Sequence, residues 1–349
     1  MLGYIDCDTH VIESSSAWGY LSPDEEKFRP KEKQTDGKQM EWRNLKNFWE
    51  LHTGQLIIRG LSLEDVPGQP SARVRRLEDV PGRLKWMDDL GVDAQVVISS
   101  FFLAAIFTDA DAQVALSRSY NCWLADCYHQ SGGRLRWSLV APLLDMDVAL
   151  EELRVGAANG AVSVLMRPLE CERLLTDPYF FPLYEEAQEQ GLAIGIHIGN
   201  SHSPVYSIPE AVMFSVVPMT AAFVNIFSSD FAERFPDLRF GFLEAGSEWL
   251  PYALREISRG ADVAWRRNLE LKDTPLSGTN LFIDCTFDED LNYVMRFSGT
   301  DNLVLGSDFG HSDFGTDVGA HELILKRSDL DASVVNKITE MNGRRLYGL

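Results

Sequence analysis

A chain of 349 residues, 45% hydrophobic and 24% charged, has the composition of a folded soluble protein, which excludes a mainly disordered state. Its formal charge of -20 would repel phosphate backbones and anionic membrane surfaces, which excludes nucleic acid as a partner. Cys7, Cys122, Cys127, Cys171 and Cys285 are odd in number and form no CxxC pair, so they read as reduced thiols of a cytoplasmic protein.

Residues 1–20 carry no basic segment followed by an apolar one, and no run reaches the roughly 18 apolar residues that a membrane span requires. The first element, YIDCD (4–8), is a short strand that runs directly into Asp8 and His10. Extended backbone alternates its side chains with period two, so Asp8 and His10 share a face and Cys7 points away from it. Residues 22–82 differ from the rest in their charge and turn residues, with LEDVPG beginning at Leu63 and again at Leu77. Two copies do not make a repeat protein. The segment reads as an excursion after the first strand, partly helical around Met40 to Leu51, that covers one mouth of the main body.

Downstream, seven more β-branched or apolar runs follow: AQVVIS (94–99), WSLVA (137–141), AVSVLM (161–166), AIGIHI (193–198), LRFGFL (238–243), NLFIDC (280–285) and NLVLGS (302–307). Helical-period segments lie between them, among them GRLKWMDDLG, the 111–131 stretch, MDVALEELRVGAANG, PYFFPLYEEAQEQG and SEWLPYALREISRG. Several end in Gly, as helix C-caps prefer. The apolar stretch from Ala211 to Ile226, interrupted by Pro218, reads as a buried helix pair. Eight alternating βα units predict a parallel sheet closed into a (β/α)8 TIM barrel, one domain over 1–349 with the excursion inserted. An open doubly wound sheet would place a Gly-rich phosphate loop after the first strand, and CDTHVIE is not one.

Active sites of such barrels sit at the carboxyl ends of the strands. Read there, strand one ends in Asp8 and His10, strand four in Arg167, strand five in His197, strand six in Glu244 and strand eight in Asp308. Two histidines and two carboxylates from strands one, five and eight suit a divalent transition metal with open coordination positions.

The Asp-x-His after strand one, the His ending strand five, the FPDLRFGFLEAGSEWLPY block and the GSDFGHSD block together resemble the amidohydrolase superfamily. The branch they are most similar to holds aminocarboxymuconate-semialdehyde decarboxylase and the metal-dependent, non-oxidative decarboxylases of aromatic acids. The resemblance runs from residue 4 to about 347 and implies a TIM barrel with one catalytic divalent metal, zinc first and manganese as its rival. It makes Asp8, His10, His197 and Asp308 the ligands. Two positions depart from the family pattern. Asp8 stands where a His is usual, which makes the site harder, and Glu244 replaces a catalytic His, as general acid or base or as a further ligand.

Arg167 cannot bridge two cations, so the centre is expected to be mononuclear. Its guanidinium either holds a substrate carboxylate in bidentate fashion or pairs with Glu170 or Glu172. His202 reaches toward substrate from the loop after strand five or is solvated. His311 is placed to share a proton with Asp308, and Glu13 either orients His10 or pairs with an Arg. Glu248 opens the helix after strand six and favours its dipole. The expected activity is non-oxidative decarboxylation of a small aromatic or unsaturated carboxylic acid, with Asp308 or Glu244 as proton donor. The alternatives are metal-dependent hydrolysis of an amide, ester or lactone through the same ligands, and a non-catalytic binding barrel. A homodimer is the family expectation.

Overall fold

The structure is a computed structural model that describes residues 3–34, 47–58, 68–199, 211–261, 276–311 and 316–349. Eight parallel strands follow one another around a sheet in chain order: Tyr4–Val11, Val92–Ser99, Leu135–Leu139, Ala161–Met166, Ala193–His197, Phe240–Leu243, Leu281–Cys285 and Leu303–Leu305. Every predicted strand is present, displaced by a few residues at most. Strands eight and one meet just past the last strand, where Phe309 bridges Thr9 and the His10 amide donates to the Phe309 carbonyl at 2.6 Å. The sheet is thereby closed, with helices around it, as a (β/α)8 barrel.

The helices form where side chains and caps agree. In Val80–Leu90, Asp79 accepts from the Gly82 amide, Pro81 sits in the first turn, and Gly91 ends the helix at φ +70°. Helix Ala110–Gln130 buries Ala112, Ala115, Leu116, Ser119, Tyr120, Trp123 and Cys127, an i, i+3, i+4, i+7 stripe against the barrel wall. Each fully buried Leu-sized side chain in such a stripe contributes roughly 1.5–3 kcal/mol. Ala211–Phe227 is one helix with Pro218 inside it, not the expected pair. Met219, Ala222, Phe223 and Ile226 recur at helical spacing and are buried, and that packing holds the helix together past the missing N–H of proline. No described helix is long and apolar enough to cross a membrane.

The excursion corrects another expectation. Asn47–Glu50 is the central strand of a three-stranded antiparallel sheet with Lys31–Gln34 and Leu56–Ile58, so 47–50 is not helical; 40–46 lies outside the described residues. Trp49 is buried edge-on against Trp18, and the Gln55 amide group bonds the Ala104 carbonyl and the Ile106 amide. Gln69 donates to the His311 carbonyl at 2.7 Å. The excursion therefore docks on the loops at the carboxyl ends of strands two and eight.

Inside the barrel, Ile5, Cys7, Val96, Val162, Ala193, Phe282 and Val304 pack together with Leu346 and Tyr347 of the last helix. Side chains from six strands meet only in the interior, so Cys7 points inward, contrary to the alternation expected of YIDCD. The cause is a bulge. Asp6 pairs with Gln95 and Thr9 with Val97, so Cys7 and Asp8 together stand opposite Val96 alone. The extra residue turns Cys7 and Asp8 both toward the interior and leaves Asp6 on the outer face.

Candidate metal centre

At the carboxyl rim, six predicted side chains from four strand ends converge. His10 Nε2 lies 3.1 Å from His197 Nε2, 3.3 Å from Asp8 Oδ1 and 3.3 Å from Asp308 Oδ1. His197 Nε2 lies 3.4 Å from Asp8 Oδ2 and 3.0 Å from Glu244 Oε2. His311 adds Nδ1 at 2.8 Å from Asp308 Oδ1, and its ring stacks on His10 with centroids 3.8 Å apart. Asp8, His10, His197 and Asp308 are all at most 3% exposed.

The donor set fits a cation. His197 Nδ1 lies 2.7 Å from the Ile198 carbonyl, which can only accept, so Nδ1 carries the proton and Nε2 presents a lone pair to the centre. Both oxygens of Asp8 are buried without a hydrogen-bond partner among the described residues. Buried polar atoms left this way are costly unless something not yet counted satisfies them. Two overlapping sets, Asp8–His10–His197–Glu244 and His10–Glu244–Asp308–His311, bring their ligand atoms within 4.8 Å of one another. The sets share His10 and Glu244.

Electrostatics agree. Burial, followed by the charge of His311, pushes His10 down to about 3, which leaves it a neutral ligand at neutral pH. Asp284, on strand seven beneath the site, is pushed well up by burial and then by Asp8; it accepts from the Glu244 and Gly306 amides. A pocket with this much buried negative charge favours a divalent ion at its centre.

Local backbone sets the aim of two of these groups. Glu244 and Asp308 are non-glycine residues at φ +58° and +49°, left-handed conformations that cost on the order of 1–3 kcal/mol and persist only where surroundings impose them. For Glu244 those surroundings include Asp284 and, just beyond, Glu289, whose carboxylate accepts from the Ser247 amide and hydroxyl and from the Glu248 and Thr286 amides.

Other expectations fare differently. Arg167 makes the Glu170 pair, one of its two expected roles: its Nε and Nη2 donate to the two oxygens of Glu170 at 2.9 and 2.7 Å, and its Nη1 donates to the Ala105 carbonyl at 2.9 Å. The guanidinium ties the end of strand four to the loop after strand two. His202 lies outside the described residues. Among the described residues Glu13 neither orients His10 nor meets an Arg; it accepts from Ser99 Oγ at 2.6 Å and from the Phe101 amide at 3.0 Å, anchoring the turn after strand two. Three groups escaped the sequence reading. Ser100 Oγ lies 2.7 Å from His311 Nε2, and Thr316 donates to Asp308 Oδ2 at 2.6 Å. The end of strand two, VVISS, held the signal for Ser100, and a carboxylate inside the apolar run NLFIDC held the one for Asp284; nothing near Thr316 marked it.

The family model described as "Amidohydrolase" matches residues 5–349. A curated 2-amino-3-carboxymuconate-6-semialdehyde decarboxylase of Dictyostelium discoideum is 26% identical over 145 residues, a match that spans 39% of this chain and 39% of that protein's length. Among solved structures, an amidohydrolase of Mycobacterium avium subsp. paratuberculosis K-10 superposes with a TM-score of 0.77 at 19% identity, covering 99% of this chain and 98% of its own. A 5-carboxyvanillate decarboxylase of Novosphingobium aromaticivorans DSM 12444 with bound manganese superposes at 0.64 with 17% identity, covering 76% and 80%. At these identities the two structures establish the fold.

Proposed function

We propose that this chain, which belongs to the amidohydrolase family, holds one divalent metal ion through Asp8, His10, His197 and Asp308 and decarboxylates a small aromatic or unsaturated carboxylic acid. The observation that carries the reading is the buried convergence of those four side chains with the Asp308–His311 pair beside them. The decarboxylase named among its relatives supports the same reaction.

A divalent ion held there would supply Lewis-acid polarisation of the substrate. The protein supplies the rest. His197 is locked in the tautomer that offers Nε2. Arg167 is paired with Glu170, which leaves it a structural rather than a substrate-anchoring group in this reading. His311, 2.8 Å from Asp308 Oδ1 and 2.7 Å from Ser100 Oγ, is the group placed to deliver a proton to the carbon that bears the carboxylate. That carbon gains one proton as its bond to the carboxylate breaks, and carbon dioxide leaves with the charge balanced. Glu244, 3.0 Å from His197 Nε2, serves as a further ligand or holds a second proton.

Two nitrogens with two or three carboxylate oxygens suit manganese as well as zinc. The manganese in the 5-carboxyvanillate decarboxylase makes it the ion to test beside zinc. The test incubates protein loaded with each ion with a panel of hydroxybenzoates, small esters and lactones. Carbon dioxide release without hydrolysis products supports the reading; hydrolysis of an ester or lactone without carbon dioxide replaces it with the hydrolase.

A further inference from the structure

The bulge in strand one places Asp6 behind the barrel wall, where it meets the loop that carries Asp308. Asp6 Oδ1 accepts from the Ser307 amide at 2.9 Å and from the Tyr4 hydroxyl at 3.2 Å. Its Oδ2 accepts from Ser307 Oγ at 2.7 Å and from Gln95 Nε2 at 3.2 Å. Gln95 Oε1 in turn accepts from Arg83 Nε at 2.6 Å, and the Arg83 guanidinium lies 3.7 Å over the Phe309 ring. Ser307 and Phe309 are the two neighbours of Asp308. Both are gripped by one continuous network that runs from the outer helix Val80–Leu90 to strand one.

We infer that Asp6 and Arg83 are positioning residues for Asp308: a buried clamp behind the strand one–strand eight seam imposes the left-handed backbone of Asp308 and so aims its carboxylate into the centre. The inference rests on the reading of Asp308 as a metal ligand. The Asp308 amide bonds the Asp8 carbonyl at 3.0 Å, and Ser307 Oγ accepts from the Phe309 amide at 3.2 Å, so the turn is fixed from inside and outside at once. Arg83 is fully buried, and its two terminal nitrogens have no hydrogen-bond partner among the described residues. A buried cation so sparsely bonded is a poor choice for stability alone. Its ring contact with Phe309 and its link to Asp6 through Gln95 give it a task that an apolar side chain of the same size would not perform.

The test compares Asp6→Asn and Arg83→Met with the wild type and with Leu153→Ala, a change in the helix layer remote from the network. Affinity for manganese is measured by competition with a chelating indicator, at a temperature where circular dichroism shows every protein folded, and Tm is measured separately. The expected result is affinity weakened 10–100-fold in Asp6→Asn and Arg83→Met, the range typical for partners of metal ligands, with Leu153→Ala lowering Tm alone. Wild-type affinity in both variants overturns the clamp while leaving the metal site standing. No manganese or zinc bound by the wild type overturns the metal reading itself. If Asp6→Asn does not fold, Ser307→Ala removes one hydroxyl of the clamp and carries the same expectation.

Discussion

His311 Nδ1 stands 2.8 Å from Asp308 Oδ1 while its Nε2 stands 2.7 Å from Ser100 Oγ, so the imidazole spans the space between the Asp308 carboxylate and a hydroxyl at the rim. An imidazole placed between a carboxylate and a hydroxyl can relay a proton, and that is the role we propose for His311 rather than ligation. His311→Asn should therefore lower kcat by about 10²–10⁴-fold, the usual span for loss of a general acid or base, with metal content unchanged. Metal analysis beside steady-state kinetics checks it; loss of the ion in this variant would make His311 a ligand instead.

Arg167 and Glu170 should behave as a structural pair. Both are nearly buried, and removing one partner leaves the other charge uncompensated, which costs about 3–5 kcal/mol. Arg167→Met should lower thermal stability clearly and raise KM little at temperatures where it is folded. A large rise in KM at unaltered Tm would restore Arg167 to substrate binding.

Glu13 makes a pH prediction. Burial pushes its carboxyl from 4.5 up to about 7, opposed by the Ser99 and Phe101 hydrogen bonds. Between those values the folded state binds more protons than the unfolded state, so stability falls as pH rises from about 4.5 to about 7. Glu13→Gln keeps the size and cannot ionise. The difference in Tm between variant and wild type should grow in favour of the variant across that interval, as melts in a pH series would read. A difference that stays flat or shrinks contradicts this account of Glu13.

The barrel was legible because its eight strands are buried β-branched runs separated by helical periods, and reading only their carboxyl ends singled out Asp8, His10, His197, Glu244 and Asp308. What was not legible depended on local backbone. The bulge between Asp6 and Thr9 leaves no mark in IDCDTH, so the strict alternation expected there misplaced Cys7 and hid the outward role of Asp6. Glu170 returns to Arg167 through a two-residue hairpin, with Leu169–Glu170 paired to Arg173–Leu174. Its central residues, Cys171 and Glu172, both take positive φ, at 50° and 58°. Such turns normally advertise themselves with Asn-Gly, and Cys-Glu gives no such sign. Asn47–Glu50 became a strand because partners on both sides offered it ladders, and those partners are set by the tertiary fold rather than by its own composition.

The central claim is a single divalent ion held by Asp8, His10, His197 and Asp308, and metal analysis of the purified protein tests it most directly. The account predicts about one manganese or zinc ion per chain. His197→Ala and Asp308→Asn should lose it, and at 100-fold excess over Kd the ion should add about 2.7 kcal/mol to the stability of the wild type. Two ions per chain, none after loading, or full retention in both variants would contradict it.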